Sequence, residues 1–112
     1  MINPKLVEAQ VQGCIGQGLM QAFKGKITFE KGRVQQSNFH DYRLITLAEM
    51  PEIVVTLLES DAPPSGIGEI GVAPVAPAVA NAIFAITGIR LRKMPFEDEG
   101  FTLGNRVADS DA

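Results

Sequence analysis

The sequence has one cysteine and no long apolar run, and each of these shortages excludes a class of protein. One cysteine cannot form an internal disulfide bond, so a cystine-stabilised secreted scaffold is excluded. We expect no membrane span, because no apolar run reaches the roughly 20 residues that a spanning helix needs, and no signal peptide. A net charge of −3 without a cluster of Lys and Arg argues against a nucleic-acid partner. The 112 residues allow one domain at most.

The first third of the sequence predicts a long amphipathic helix. Asn3 is a favourable cap and Pro4 is tolerated at the first helical position, and apolar residues then recur at steps of three and four up to about Phe23. Three glycines interrupt this helix, each at a cost of roughly 1 kcal/mol against Ala. Close helix packing and ligand contact are both open as reasons for Gly13, Gly16 and Gly18.

The segments that follow this helix predict strands. Residues 27–30 and 33–34 read as two short strands joined by a tight turn at Lys31-Gly32. Residues 52–59, EIVVTLLE, are rich in β-branched side chains and give the clearest strand prediction in the chain. A loop containing Pro63 and Pro64 follows this segment.

The last third combines a glycine-rich loop, residues 66–71, with an apolar helix predicted over 72–86 and ended by Gly88. Between Val75 and Ile86 the only polar residue is Asn81, and a helix that is apolar on every side must be buried on every side. We therefore expect this surface to be completed by another chain or by another part of a longer polypeptide. The acidic residues 97–112 are predicted to form a loosely ordered tail.

Glu69 is the strongest chemical candidate, since it is the only charged residue between Ser65 and Ile86. Apolar surroundings would desolvate this carboxylate and raise its pKa towards the range of a general base. The alternative is a helix-stabilising role, because the positive end of the following helix would lower the same pKa. The residues alone leave both readings open.

Other residues are weaker candidates for a catalytic or binding role. His40 has no second histidine or cysteine at ligand spacing and is predicted to be a surface residue, and Cys14 is predicted to be a small core residue. Glutamine amides both donate and accept hydrogen bonds, so they suit a pterin edge as well as a solvated helix face. These glutamines are Gln10, Gln12 and Gln17.

Three segments in order resemble the last portion of the molybdopterin-binding large subunit of the xanthine dehydrogenase and aldehyde oxidase family. They are residues 8–19 (EAQVQGCIGQGL), residues 41–53, and residues 66–83, which begin GIGEIG. The resemblance covers about residues 2–96 and is similar to the isoquinoline 1-oxidoreductase branch. Isoleucine at position 70 and alanine at position 73 depart from the family, which commonly has proline at both places.

The resemblance implies a molybdenum hydroxylase that uses water as its oxygen source. By this resemblance, Glu69 corresponds to the active-site glutamate that acts as general base, and Gln10 to a glutamine that hydrogen-bonds the pterin. Gly68 would let the backbone come close to the molybdenum site. No residue is assigned as a metal ligand. The implied cofactor is molybdopterin cytosine dinucleotide, and the implied partners are the remainder of the molybdopterin-binding subunit and an iron–sulfur subunit.

The resulting prediction is an α+β domain with a long N-terminal helix, a small β-sheet, the glycine-rich loop and a buried apolar helix. Residues 1–96 form the C-terminal segment of a molybdopterin-binding domain. This segment is expected to be inactive and free of cofactor on its own, and to serve as a fragment or split subunit. The rival interpretation is a non-catalytic remnant that buries its apolar helix by self-association.

Overall fold

The computed structural model describes residues 2–104, and its first element is a 20-residue helix, α1, Pro4–Phe23. The side chain of Asn3 accepts a hydrogen bond from the backbone N–H of Leu6, as expected of a helix cap. The predicted start and end of this helix are confirmed. Its buried residues lie in the second half, from Cys14 onwards, while the first turns are exposed or half-buried.

A small antiparallel hairpin follows, formed by β1, Phe29–Glu30, and β2, Arg33–Val34. Lys31 and Gly32 both adopt positive φ, at 48° and 78°, which suits the tight turn of a two-residue hairpin. The predicted hairpin is confirmed, and residues 2–104 combine two α-helices with a two-stranded sheet in a small α+β fold.

The second helix, α2, Val72–Thr87, ends at Gly88, whose left-handed φ of 73° closes the helix. One face of α2 packs on α1 and the core through Val75, Ala76, Val79, Ala80 and Ile83. These positions recur with helical spacing and form one stripe. Within residues 2–104, neither helix is both long and apolar enough to cross a membrane.

Within the described chain α2 is covered on one side only, and the expectation that another chain or another part of a longer polypeptide covers the rest stays a prediction. Val75 is the one residue of α2 that is buried, and Ile86 is 86% exposed. The physical reason is size: the described chain offers only α1 and a few loop residues to pack against, so a single stripe of α2 can be covered.

The core lies where α1, α2 and the C-terminal part of the described chain meet. It contains Leu19, Ala22, Phe23, Val75, Leu91 and Phe96. The rings of Phe23 and Phe96 meet edge to face with centroids 5.4 Å apart, an arrangement that aromatic quadrupoles favour.

Residues 52–59, predicted as the clearest strand, form no strand in the structure. Their accessibility still alternates, because Ile53, Val55 and Leu57 are half-buried while their neighbours are exposed. A strand is defined by its pairing, and no partner strand lies beside this segment in the part of the chain that is described. The strand prediction is therefore wrong for the isolated chain.

For residues 97–104 the structure differs from the loosely ordered tail that the sequence predicted. A 3₁₀ helix spans Phe96–Glu99, and Phe101 and Leu103 pack against the core. Apolar residues inside an otherwise acidic stretch explain this order. The rest of the predicted tail, residues 105–112, lies outside the described residues.

Candidate functional site

Two of the predicted site residues, Gln10 and Gly68, lie side by side although 57 positions separate them in the sequence. A Cβ atom built on Gly68 would lie 3.9 Å from the amide oxygen of Gln10 and would meet no other atom that close. Gln10 is on the exposed first half of α1, and Gly68 is in the glycine-rich loop that precedes α2. The fold thus brings the helix amide and the glycine backbone to one exposed edge.

Glu69, the residue after Gly68, is exposed in the described chain. Its backbone carbonyl accepts a hydrogen bond from Val72 N–H at 2.9 Å, so it lies beside the first turn of α2. The partial desolvation predicted for this carboxylate is not present, because the described residues leave it open to solvent. The loop therefore sets the position of Glu69 but does not enclose it.

The glycine-rich loop is held against α1 at Gly71. A side chain there would collide with the sulfur of Cys14, so only glycine allows this approach of the loop to the helix. The Cys14 thiol lies within hydrogen-bond distance of the Val11 carbonyl, 3.1 Å away, and Cys14 is buried. Its predicted role as a small core residue is confirmed.

The three helix glycines have different surroundings. Gly18 contacts α2, and a Cβ atom there would come 2.8 Å from the Val72 carbonyl oxygen. Gly16 lies against the Met50 side chain. Close packing therefore accounts for both, whereas a Cβ atom on Gly13 would meet nothing within 4 Å.

Gly13 lies one helical turn from Gln10, on the exposed part of α1, and Gln12 and Gln17 are exposed as well. Gly13 and Gln10 are thus both exposed residues of the same half of α1. No atom of the described chain requires a glycine at this position.

A partly buried ion pair, which the sequence analysis missed, holds the loop that leads into Met50. The Lys24 side chain is 2% exposed, and its ammonium group lies 2.5 Å from the Glu49 carboxylate. The backbone N–H and the hydroxyl of Thr46 also donate to this carboxylate. These three donors, led by Lys24, lower the pKa of Glu49 from 4.5 to about 2. The Thr-x-x-Glu capping pattern was the available sequence signal.

His40 is exposed and lies 3.5 Å from Asp41, in agreement with the predicted surface role. The Asp41 carboxylate accepts hydrogen bonds from the backbone N–H groups of Asn38 and Ser37, which lower its pKa to about 2. No cluster of three or more potential metal ligands occurs among residues 2–104. The Asp41 carboxylate therefore stabilises the loop that contains Ser37 and Asn38.

Comparison with known proteins identifies the family. Residues 1–51 match the family model of a molybdopterin cofactor-binding domain. The beta subunit of isoquinoline 1-oxidoreductase from Brevundimonas diminuta is 41% identical over 93 residues, which make up 83% of this chain and 12% of that protein. The chain belongs to the molybdopterin-binding part of the xanthine dehydrogenase and aldehyde oxidase family.

Further members of this family match over similar stretches. A nicotinate dehydrogenase subunit of Pseudomonas putida is 38% identical over 88% of the chain and 8% of its own length. The xanthine dehydrogenase molybdenum-binding subunit of Escherichia coli O157:H7 is 30% identical over 85% of the chain and 14% of its own length. The chain thus spans about a tenth of the length of these relatives, and the resemblance seen in its motifs is confirmed.

Proposed function

We propose that the chain supplies one edge of the cofactor site of a molybdenum hydroxylase, with Glu69 as general base and with Gln10 and Gly68 at the cofactor. The observation that carries the proposal is the meeting of Gln10 and Gly68 at one exposed edge. This edge joins two segments that are remote in sequence and that were both singled out by their family motifs. Membership of the molybdopterin-binding family supports the same assignment.

The residues at this edge fit a pterin. A pterin presents both hydrogen-bond donors and acceptors, and the Gln10 amide can satisfy either kind. Gly68 leaves its backbone accessible, because only the Gln10 oxygen lies within 4 Å of its missing side chain. Gly13, one helical turn from Gln10, likewise has no atom within 4 Å of its missing side chain. Small residues and one amide thus leave room for a flat polar ring.

The bound molybdenum cofactor, which we propose to be the cytosine dinucleotide form, would supply the redox chemistry that inserts water-derived oxygen into an aldehyde or N-heterocycle. The residues of this chain would position the reaction and move a proton. Gln10 orients the pterin edge, and the Glu69 carboxylate takes a proton at the reaction centre. Gly71, pressed on Cys14, fixes the loop that carries the base.

The chain is expected to be inactive alone, because its site is incomplete. Glu69 is open to water, whereas a general base of this kind works in an enclosed site. One edge of a pocket also cannot offset the entropic cost of ordering a large ligand. We propose that the remainder of the molybdopterin-binding subunit closes the site, and that an iron–sulfur subunit carries electrons away. The segment is proposed to be the C-terminal part of that larger polypeptide.

The experiment is to express the chain together with the remainder of a molybdopterin-binding subunit and its iron–sulfur subunit, and to measure turnover of aldehydes and N-heterocycles. Glu69→Gln is expected to lower kcat at least about 100-fold while molybdenum content stays constant. The matched control is Glu99→Gln, an exposed glutamate in the 3₁₀ helix, which should leave kcat unchanged. Turnover of the Glu69→Gln enzyme within twofold of the parent would reject the base assignment.

A second candidate is favoured by the exposed apolar side of α2, where Ile86 is 86% exposed. A non-catalytic remnant of the family could cover this side with a second copy of itself. Light scattering separates the two: a stable dimer that persists when the remainder of the subunit is added supports the remnant. A dimer that gives way to a complex with that remainder supports the enzyme segment.

A further inference from the structure

Residues 53–58, IVVTLL, here named the extended segment, have the pattern of a strand without its pairing. Alternate side chains are half-buried, while Val54 and Leu58 are each 83% exposed. No backbone group of the segment makes a hydrogen bond to another residue in the range 2–104. Within the described part of the chain, the segment therefore presents six consecutive residues whose backbone N–H and C=O groups have no partner.

Such a segment is unusual on a protein surface. Exposed strands that are meant to stay unpaired carry charges, proline or bulges that prevent association. The extended segment has none of these, since its six residues are all aliphatic or threonine. Its composition is that of a strand covered on both edges or on both faces. The surface is thus built to be paired, and the described chain does not pair it.

The relatives indicate where the pairing strand comes from. The 93-residue match to the isoquinoline 1-oxidoreductase protein covers 83% of the chain, so it has to include the extended segment near the middle of the sequence. In that relative the matched stretch is only 12% of the protein. The same segment therefore occurs there beside a much larger body of the same polypeptide, which can offer an edge strand.

We infer that the extended segment docks by strand addition onto an edge strand of the remaining part of the molybdopterin-binding subunit. The inference rests on the proposed function, because the partner is the portion that would complete the site. Main-chain hydrogen bonds would hold the pair together, and the alternating side chains would set the register. Val54 and Leu58 would be covered on the face that is now open.

The test uses the whole 112-residue chain and a defined probe. The probe is the Brevundimonas protein without its 93 matched residues, co-expressed with the chain; the positive control is the same truncated protein with its own excised segment. Amide hydrogen exchange is measured residue by residue for the free chain and for the complex. We expect exchange at alternate residues, or at all residues, of 53–58 to slow at least about 100-fold in the complex.

Proline variants test the backbone directly. Val55→Pro and Thr56→Pro remove N–H groups from opposite edges of a strand, so at least one should weaken the complex about 10-fold or more. Val55→Ala and Thr56→Ala keep the N–H groups and serve as controls with affinity within about twofold. Equal affinity of all four variants would overturn the strand inference.

The possible failures are distinguishable. A complex in which the amides of 53–58 still exchange freely contradicts strand addition and leaves the proposed function standing. No complex with the probe, while the control segment binds it, contradicts the proposed function itself. Protection that appears in the free chain with a concentration-dependent mass would identify a second copy as the occupant, and would also overturn the inference.

Discussion

Gly18 of α1 lies so close to Val75 of α2 that a Cβ atom on residue 18 would come 2.8 Å from the Val75 Cβ atom. Real Cβ atoms do not approach one another so closely, so the helices can only keep this distance with glycine at position 18. Val75 is also the buried residue of α2. The contact therefore fixes how α2, and the glycine-rich loop before it, are placed on α1.

This contact predicts opposite outcomes for two glycines of the same helix. Gly18→Ala should lower the free energy of unfolding by about 1–3 kcal/mol, because the added methyl forces the helices apart. Gly13→Ala meets no atom within 4 Å and should raise the free energy of unfolding by up to about 1 kcal/mol through its better helix propensity. Urea unfolding followed by circular dichroism gives both values. Equal effects of the two substitutions would contradict the helix contact.

The ion pair between Lys24 and Glu49 predicts a dependence of stability on pH. The pKa of Glu49 is lowered in the folded chain, from 4.5 to about 2, so its ionised form stabilises the fold. That stabilisation is fully present above pH 4.5 and is lost as the pH falls towards 2. Glu49→Gln should lower the free energy of unfolding at pH 7. It should also make the loss of stability between pH 4.5 and pH 2 smaller than in the parent chain.

Asp41 has a similarly lowered pKa, about 2, and contributes to the same acidic decline. Asp41→Asn is therefore the control that separates the two carboxylates. The midpoint of urea unfolding, measured between pH 2 and pH 7 for each variant, checks the prediction. A Glu49→Gln chain with the same pH profile as the parent would show that the ion pair does not stabilise the fold.

The meeting of Gln10 and Gly68 predicts a role in retaining the cofactor. In the reconstituted enzyme, Gln10→Ala should lower the bound molybdenum and pterin per complex, because one hydrogen-bonding edge is lost. Gln21→Ala, at the exposed last turn of α1, is the matched control and should retain the full content. Elemental analysis and pterin fluorescence give the two quantities. Unchanged content in the Gln10→Ala enzyme would remove Gln10 from the proposed site.

Local chemistry made much of this fold predictable. Asn3 and Pro4 fixed the start of α1, Gly88 marked the end of α2, and the Lys31-Gly32 turn marked the hairpin. Each signal depends on the backbone of a few neighbouring residues, and such rules operate without knowledge of the rest of the chain. The family motifs added the grouping of Gln10 with the glycine-rich loop.

Where the isolated chain departs from its sequence pattern, the physical cause is that pairing and burial depend on distant atoms. Residues 52–59 have strand composition but find no partner in the described chain, and α2 has buried-helix composition but only one covered stripe. Glu69 was expected to be desolvated for the same reason and is exposed. The sequence pattern describes an environment that this chain alone does not provide.

The most direct test of this account is the molybdenum content and mass of the purified chain, alone and after co-expression with the remainder of a molybdopterin-binding subunit. We predict less than about 0.1 molybdenum per chain alone, because one edge of a site cannot hold the cofactor. In the complex we predict close to one molybdenum, with a mass equal to that of both polypeptides. Molybdenum near one per isolated chain would contradict the central claim that the site is completed from outside residues 2–104.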